Sequence, residues 1–180
     1  MQFPEFDSLY CKFGFHMGPD WTVLSGLEEG ITQFAKSRQA STFTDSGQAI
    51  KPCVWNFPFS VSFKSTNPFG WPQLLVTVYG LDALGRDVVR GYGSVRVPMA
   101  PGSHTLYVSM FVPIATSPFN QFYSWMLGRP PEFIDPKFAA KSSGREITRV
   151  RSQGTVKVLL NIVTKDLEAL GYAIPKSGGA

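Results

Sequence analysis

The densest run of charged side chains in the sequence is basic. Lys137, Lys141, Arg145, Arg149, Arg151 and Lys157 face only Glu146 as an opposing charge. Arg145, Arg149 and Arg151 are its sharpest part, and Arg149 and Arg151 share one face if the segment is extended. A guanidinium is a planar fork that pairs a carboxylate at two points. The chemistry open to such a run is therefore anion docking. The anion is either an acidic surface of a protein partner or an anionic lipid surface. The plainer reading is a solvated strand face that blunts a sheet edge. Nucleic acid fits least, because no exposed aromatic set or reading motif accompanies the charges.

Other reactive side chains are sparse. His16 and His104 are the only histidines, and His104 reads as a solvated residue at a strand end. No serine elbow, Cys-His pair or metal-binding helix motif occurs. Calcium asks for six to eight oxygens gathered from apposed loops. Asp82 and Asp87 flank one turn, while Asp20 and Asp45 lie apart in other loops. Neither a calcium site nor catalysis is expected, and no cofactor is implied. Cys11 and Cys53 fit no zinc spacing. No N-terminal apolar stretch resembles a signal peptide, which points to the cytoplasm and to two reduced, buried thiols, with a disulfide as the alternative. No apolar run approaches the roughly 20 residues that span a bilayer.

The elements that must hold these residues are strands. Fifteen Phe in 180 residues suit sheets better than a helical bundle, and 14 Pro with 17 Gly imply many turns. Charged residues make up 17%, below the usual quarter, and the net charge of +4 is too mild to name a partner. Residues 54–80 organise the chain. Phe57, Phe59, Val61 and Phe63 alternate with Pro58, Ser60, Ser62 and Lys64, which places four large apolar groups on one face. Turn chemistry follows at residues 65–72, and a second strand runs through Leu74, Val76 and Val78. The pair reads as a hairpin. Its second strand is apolar on both faces, as in a central strand. Trp55 and Trp71 read as core or corner packing at its ends.

Further strands are predicted at residues 9–16, 86–97, 104–112, 146–152 and 154–164. Residues 21–35 read as a loop followed by a short strand at 31–34. In the final strand Val156, Val158, Leu160 and Ile162 face one way, with Lys157 and Asn161 on the other. Gly91 and Gly93 read as a bulge or as room for a facing aromatic ring. Ser117 followed by Pro118 is a helix start, and Phe119, Phe122, Tyr123 and Met126 recur at helical spacing up to Gly128. The expected fold is an all-β antiparallel sandwich with one short helix after the sixth strand region. A single domain spans residues 2–166, with a loop at 36–51 and an excursion at 117–146. Residues 167–180 form a flexible tail.

The chain resembles the B9 domain family of ciliary proteins, which implies a C2-like antiparallel β-sandwich. The likeness rests on VWNFPFSVSFKSTNPFGWPQ in the organising stretch and on GRDVVRGYGSVRVP after it. It extends from Gln2-Phe3-Pro4-Glu5 through Thr148-Arg149-Val150-Arg151-Ser152-Gln153-Gly154 to Asn161-Ile162-Val163-Thr164. The resemblance implies a non-enzymatic scaffold at the ciliary transition zone and basal body. It implies two other B9-domain proteins as partners, within the tectonic-like or Meckel syndrome complex and its transmembrane components. The implied roles are ciliogenesis, a diffusion barrier for ciliary membrane proteins and Hedgehog signalling. The competing expectation is a peripheral module that binds phosphoinositide or other lipid. Two departures from the family pattern stand out. The family's strand before the QFPE-like segment is not found, and the loop at 38–51 is long.

Overall fold

A computed structural model describes residues 8–37, 42–43, 49–50, 52–82, 85–113 and 149–167. Eleven strands make up its regular structure: β1 (Ser8–His16), β2 (Trp21–Gly26), β3 (Glu29–Ile31), β4 (Ala35–Lys36), β5 (Thr42–Phe43), β6 (Ala49–Ile50), β7 (Val61–Ser65), β8 (Gln73–Leu81), β9 (Asp87–Arg96), β10 (Gly102–Pro113) and β11 (Val150–Ile162). Six of them form one antiparallel path, β11-β10-β9-β8-β1-β3, and β4 also pairs with β1. Alternation along β1 buries Leu9, Cys11, Phe13 and Phe15, and β8 adds Leu74, Val76 and Val78 to the same core. β10 and β11 complete it with Val108, Met110 and Val156. The inward residues of four strands thus fall into one hydrophobic cluster, as period-two patterning requires.

The second layer is thinner. β2 and β7 form a two-stranded sheet of their own. Residues 53–60 continue β7 backwards without joining a ladder, yet they keep its alternation, with Trp55, Phe57 and Phe59 half-buried and Ser60 exposed. These aromatic rings lie on the inner face of β1. Phe59 sits 4.9 Å from Phe13 and 6.1 Å from Phe15, ring centre to ring centre, and Phe63 sits 5.1 Å from Phe15. Such separations favour tilted and edge-on aromatic pairs. The result is the antiparallel sandwich read from the sequence.

The organising stretch is not a hairpin, however. β7 pairs with β2, whereas β8 pairs with β1 and β9. The turn at residues 65–72 carries the chain from one layer to the other, so the apolar faces of its two strands oppose across the core rather than lying side by side. A local side-chain network fixes the turn. The Asn67 amide donates to Ser65 Oγ at 3.1 Å, and the Phe69 amide donates to Asn67 Oδ1 at 3.0 Å. Both are side-chain mimics of a backbone turn. The two tryptophans expected at the ends of this stretch do pack there. Trp55 Nε1 donates to the Leu9 carbonyl and Trp71 Nε1 to the Val97 carbonyl.

Other expectations change. Residues 21–26, read as a loop, form β2, because β7 supplies the hydrogen-bonding partner that the local pattern does not reveal. The short strand read at 31–34 is replaced by β3 and β4 on either side of 32–34, both pairing with β1. The loop read at 36–51 contains β5 and β6, which pair with each other. The two final strands are one. β11 passes through a bulge opposite Met110 and Phe111, where Gly154 takes a φ of 131°. A glycine at positive φ lets a strand absorb an extra residue without ending. At Gly93 a Cβ would come within 2.6 Å of Met110 Sδ and 2.7 Å of Val108 Cγ1. The packing room read at this glycine is real, but aliphatic and thioether groups of β10 use it rather than an aromatic ring. The central character of β8 holds, since Leu75 on its outer face is buried with Val89 and Tyr92. No helix occurs among the described residues. The helix expected at 117–128 and residues 168–180 of the tail lie outside them.

Replacing Phe59 by Ala removes the ring that touches both Phe13 and Phe15. It is expected to cost about 3 kcal/mol in urea unfolding, the low end of the range for large aromatic truncations because the ring is half-buried. Phe69, 76% exposed, serves as the control, and its truncation is expected to change stability by less than about 0.5 kcal/mol. Equal losses at the two positions would show that the aromatic contact does not hold the layers together.

Candidate functional site

The basic run meets the sandwich at one strand. Arg149 precedes β11 and Arg151 is its second residue, and both side chains are exposed. Arg151 lies across from Val112 near the end of β10 and donates through Nη2 to Gln153 Oε1 at 3.1 Å. Among the described residues, neither arginine is paired with a carboxylate. The bulge at Gln153 breaks the simple alternation between Arg151 and the rest of the strand. Lys157, four residues beyond the bulge, is exposed and lies across from Tyr107. Lys137, Lys141 and Arg145 lie outside the described residues. The structure therefore brings Arg149, Arg151 and Lys157 to one strand at the end of the large sheet.

Other candidate groups are occupied within the fold. Asp82 accepts from the Arg86 amide and from Arg86 Nε, both at 2.8 Å. Asp87, on the far side of the same turn, lies near the Tyr10 phenol and helps raise its pKa. The Asp82 carboxylate thus serves protein donors. Among the described residues no group of three or more potential metal ligands gathers. His104 sits at the start of β10, half-buried, with Nε2 2.9 Å from the Ala100 carbonyl. Cys11 and Cys53 are both buried and not joined in a disulfide. Burial pushes the Cys11 thiol from 9.0 up to about 12, so it is a poor nucleophile at neutral pH.

Both cysteines border a feature that no sequence motif announces. A cleft of about 330 Å³ opens between the two layers beside β11. Phe13, Leu74 and Val76 line its floor. Residues 156–159 run along one wall and residues 53–57 along the other. Thr32 is the polar residue on the deeper side, and its hydroxyl already accepts from the Cys11 amide at 2.9 Å. The interior is thus apolar with its polar group satisfied. Only the composition of β11 hinted at this, through its long apolar pattern. The cleft itself depends on which strands become neighbours.

A family described as ciliary basal body-associated B9 protein matches residues 1–163. The chain belongs to the B9 family. B9 domain-containing protein 1 of Mus musculus is 56% identical over 171 residues, covering 95% of this chain and 80% of that protein. The Homo sapiens protein of the same name is also 56% identical over 171 residues, with the same coverage. B9 domain-containing protein 2 of Danio rerio is 30% identical over 169 residues, 94% of this B9 chain and 90% of that protein. No solved structure matches. No helix among the described residues of this B9 chain is long and apolar enough to cross a membrane.

Two predictions follow from the occupied groups. Because Asp82 is engaged by Arg86 and no group of three metal ligands gathers among the described residues, calorimetric titration with micromolar calcium is expected to show no saturable site. A tight site would mean this carboxylate is free to turn outward. The second concerns alkali. Burial, then the Asp87 carboxylate, pushes the Tyr10 phenol from 10.0 up to about 12, and Cys11 is raised likewise. The folded chain keeps protons that the unfolded chain releases above pH 9.0 (thiol) and 10.0 (phenol). Stability is therefore expected to fall as pH rises from about 9 towards 12. Cys11→Ala should flatten the first part of that fall. A melting temperature independent of pH across this window would contradict the assignment.

Proposed function

We propose that this B9 chain is a non-enzymatic scaffold of the ciliary transition zone and basal body. In this reading it binds two other B9-domain proteins within the tectonic-like, or Meckel syndrome, complex. Through that complex it supports ciliogenesis, the diffusion barrier for ciliary membrane proteins and Hedgehog signalling. The observation that carries the reading is the 56% identity, over 95% of the chain, to B9 domain-containing protein 1 of mouse and human. The geometry agrees with a binding role. Asp82 is tied to protein donors, and the thiol of Cys11, with a raised pKa, is buried. Exposed cations remain at the end of the large sheet.

Arg149 and Arg151, with Arg145 before them, are the residues assigned to partner docking. Their guanidinium forks suit carboxylates on an acidic partner surface. Charged groups at an interface rim act mainly on the association rate and its salt dependence. Arg149→Glu combined with Arg151→Glu is therefore expected to slow association with the co-expressed B9-domain proteins by about tenfold or more at low salt. Thermal unfolding should be unchanged, since both side chains are exposed. A lowered melting temperature, with binding falling in proportion to the folded fraction, would make the arginines structural. Failure of the wild-type chain to co-purify with any B9-domain protein would reject the scaffold reading. Sedimentation with phosphoinositide-containing vesicles is the parallel measurement. Vesicle binding that disappears in the double variant would assign the arginines to a lipid surface instead.

A further inference from the structure

The two sides of the large sheet end differently. Beyond β1 it is closed by β3 and β4, of 3 and 2 residues. On the other side it ends at β11, of 13 residues, which among the described residues pairs only with β10. An open strand edge is a row of unpaired donors and acceptors, and proteins blunt such edges with short strands, prolines, bulges or charges. The β3 side uses the first device. On β11 the bulge lies at Gln153, before the open half of the strand, and the strand contains no proline. From residue 154 to 162 the one charge is Lys157.

The cleft lies along this same open half. Its wall consists of four consecutive residues, 156–159. Side chains of consecutive strand residues point to opposite faces, so a wall that takes all four is the backbone edge of the strand and not one of its faces. The opposite wall, residues 53–57, belongs to the segment that is outside any ladder. Between the two, Phe13, Leu74 and Val76 of the core are reached from outside. Leu159 and Val54, on the two walls, are 68% and 51% exposed.

We propose that this cleft is a strand-acceptor site: an extended segment of a partner protein pairs with the outer edge of β11 at residues 156–159, lowers alternate apolar side chains onto Phe13, Leu74 and Val76, and sets a carboxylate beside Lys157. The proposal rests on the reading of the chain as a scaffold that binds proteins. The chemistry of the walls selects the occupant. A backbone edge is satisfied by another strand, whose main chain gives affinity while its alternate side chains give specificity. Four residues span about 13 Å, enough for two inward side chains at strand spacing. A second copy of this chain is disfavoured. Two β11 edges meeting about a twofold axis at residue 157 would set Lys157 against Lys157, like charges that destabilise a strand pair. An axis at 158 would set Lys157 against Leu159, so a second β11, which has no acidic residue, offers Lys157 no carboxylate. An acidic residue on a different protein satisfies the same position.

Hydrogen–deuterium exchange on the full chain, alone and bound to its co-expressed B9-domain partners, tests this directly. Those amides of residues 154–162 that point away from β10 should exchange at least about tenfold more slowly in the complex, while β3 is unchanged. Leu159→Lys places a second cation on the open edge at an exposed position. It should weaken the complex about tenfold or more, with no change in melting temperature. A complex that forms while these amides exchange as fast as in the isolated chain overturns the acceptor site and leaves the scaffold reading standing. Unchanged affinity of the Leu159→Lys chain overturns it as well. Slow exchange of the outward amides in the dilute isolated chain shows the edge covered by the chain itself, and protection that grows with its concentration shows a second copy there. Either result overturns the assignment to a partner. Absence of any complex overturns both the site and the scaffold reading.

Discussion

Aromatic side chains hold the two layers of this sandwich to each other. Phe13 and Phe15 project from β1, and Phe57, Phe59 and Phe63 meet them from the segment leading into and through β7. Hydrogen bonding adds single contacts, such as that from Trp55 Nε1 to the Leu9 carbonyl, not a ladder between the layers. The second layer has a two-stranded ladder, β2 with β7, and residues 53–60 belong to no ladder. An isolated two-stranded sheet is marginal in water. The second layer therefore depends on apolar burial against the first, and the first has its core sealed by that same contact.

This dependence shapes where the molecule is open. The large sheet is covered on its inner face by the aromatic segment and carries a second buried cluster around Leu75, Val89 and Tyr92 on its outer face. The thin second layer stops short of β11, and the cleft is the gap that remains. The exposed basic residues fall on that same strand. Open backbone and positive charge thus share one side of the molecule, and a protein partner approaching it would meet both.

Much of the fold is legible in the residues. The alternation from Phe57 to Phe63, the apolar faces of β8, and the strands β1, β9 and β10 follow from period two alone. What the pattern could not supply is pairing. The turn chemistry at Asn67 and Pro68 marks a reversal, but the same residues serve a hairpin or a crossing between layers, and partner strands far along the chain decide between them. The break read between residues 152 and 154 is a bulge beside Gly154, because a bulge and a strand end ask for the same conformational freedom. At the candidate site, the cations at Arg149 and Arg151 were visible as residue types. The cleft was not, because it exists only once residues 53–57 and 156–159 are brought near one another from opposite halves of the sequence.

The pairing of β1 with β8 also sets a clock on biosynthesis. Leu9 pairs with Gly80 and His16 with Gln73, so the edge of β1 away from the short β3 and β4 has no partner until the ribosome has delivered β8. At roughly 5–20 residues per second that interval lasts several seconds, or about 3–13 s. Throughout it, a nascent chain displays Leu9, Cys11, Phe13 and Phe15 on a strand with its longer edge open. Every truncated translation product ending before β8 keeps that edge exposed. Quality control can therefore recognise such products by the open edge of β1, whatever defect lies further along.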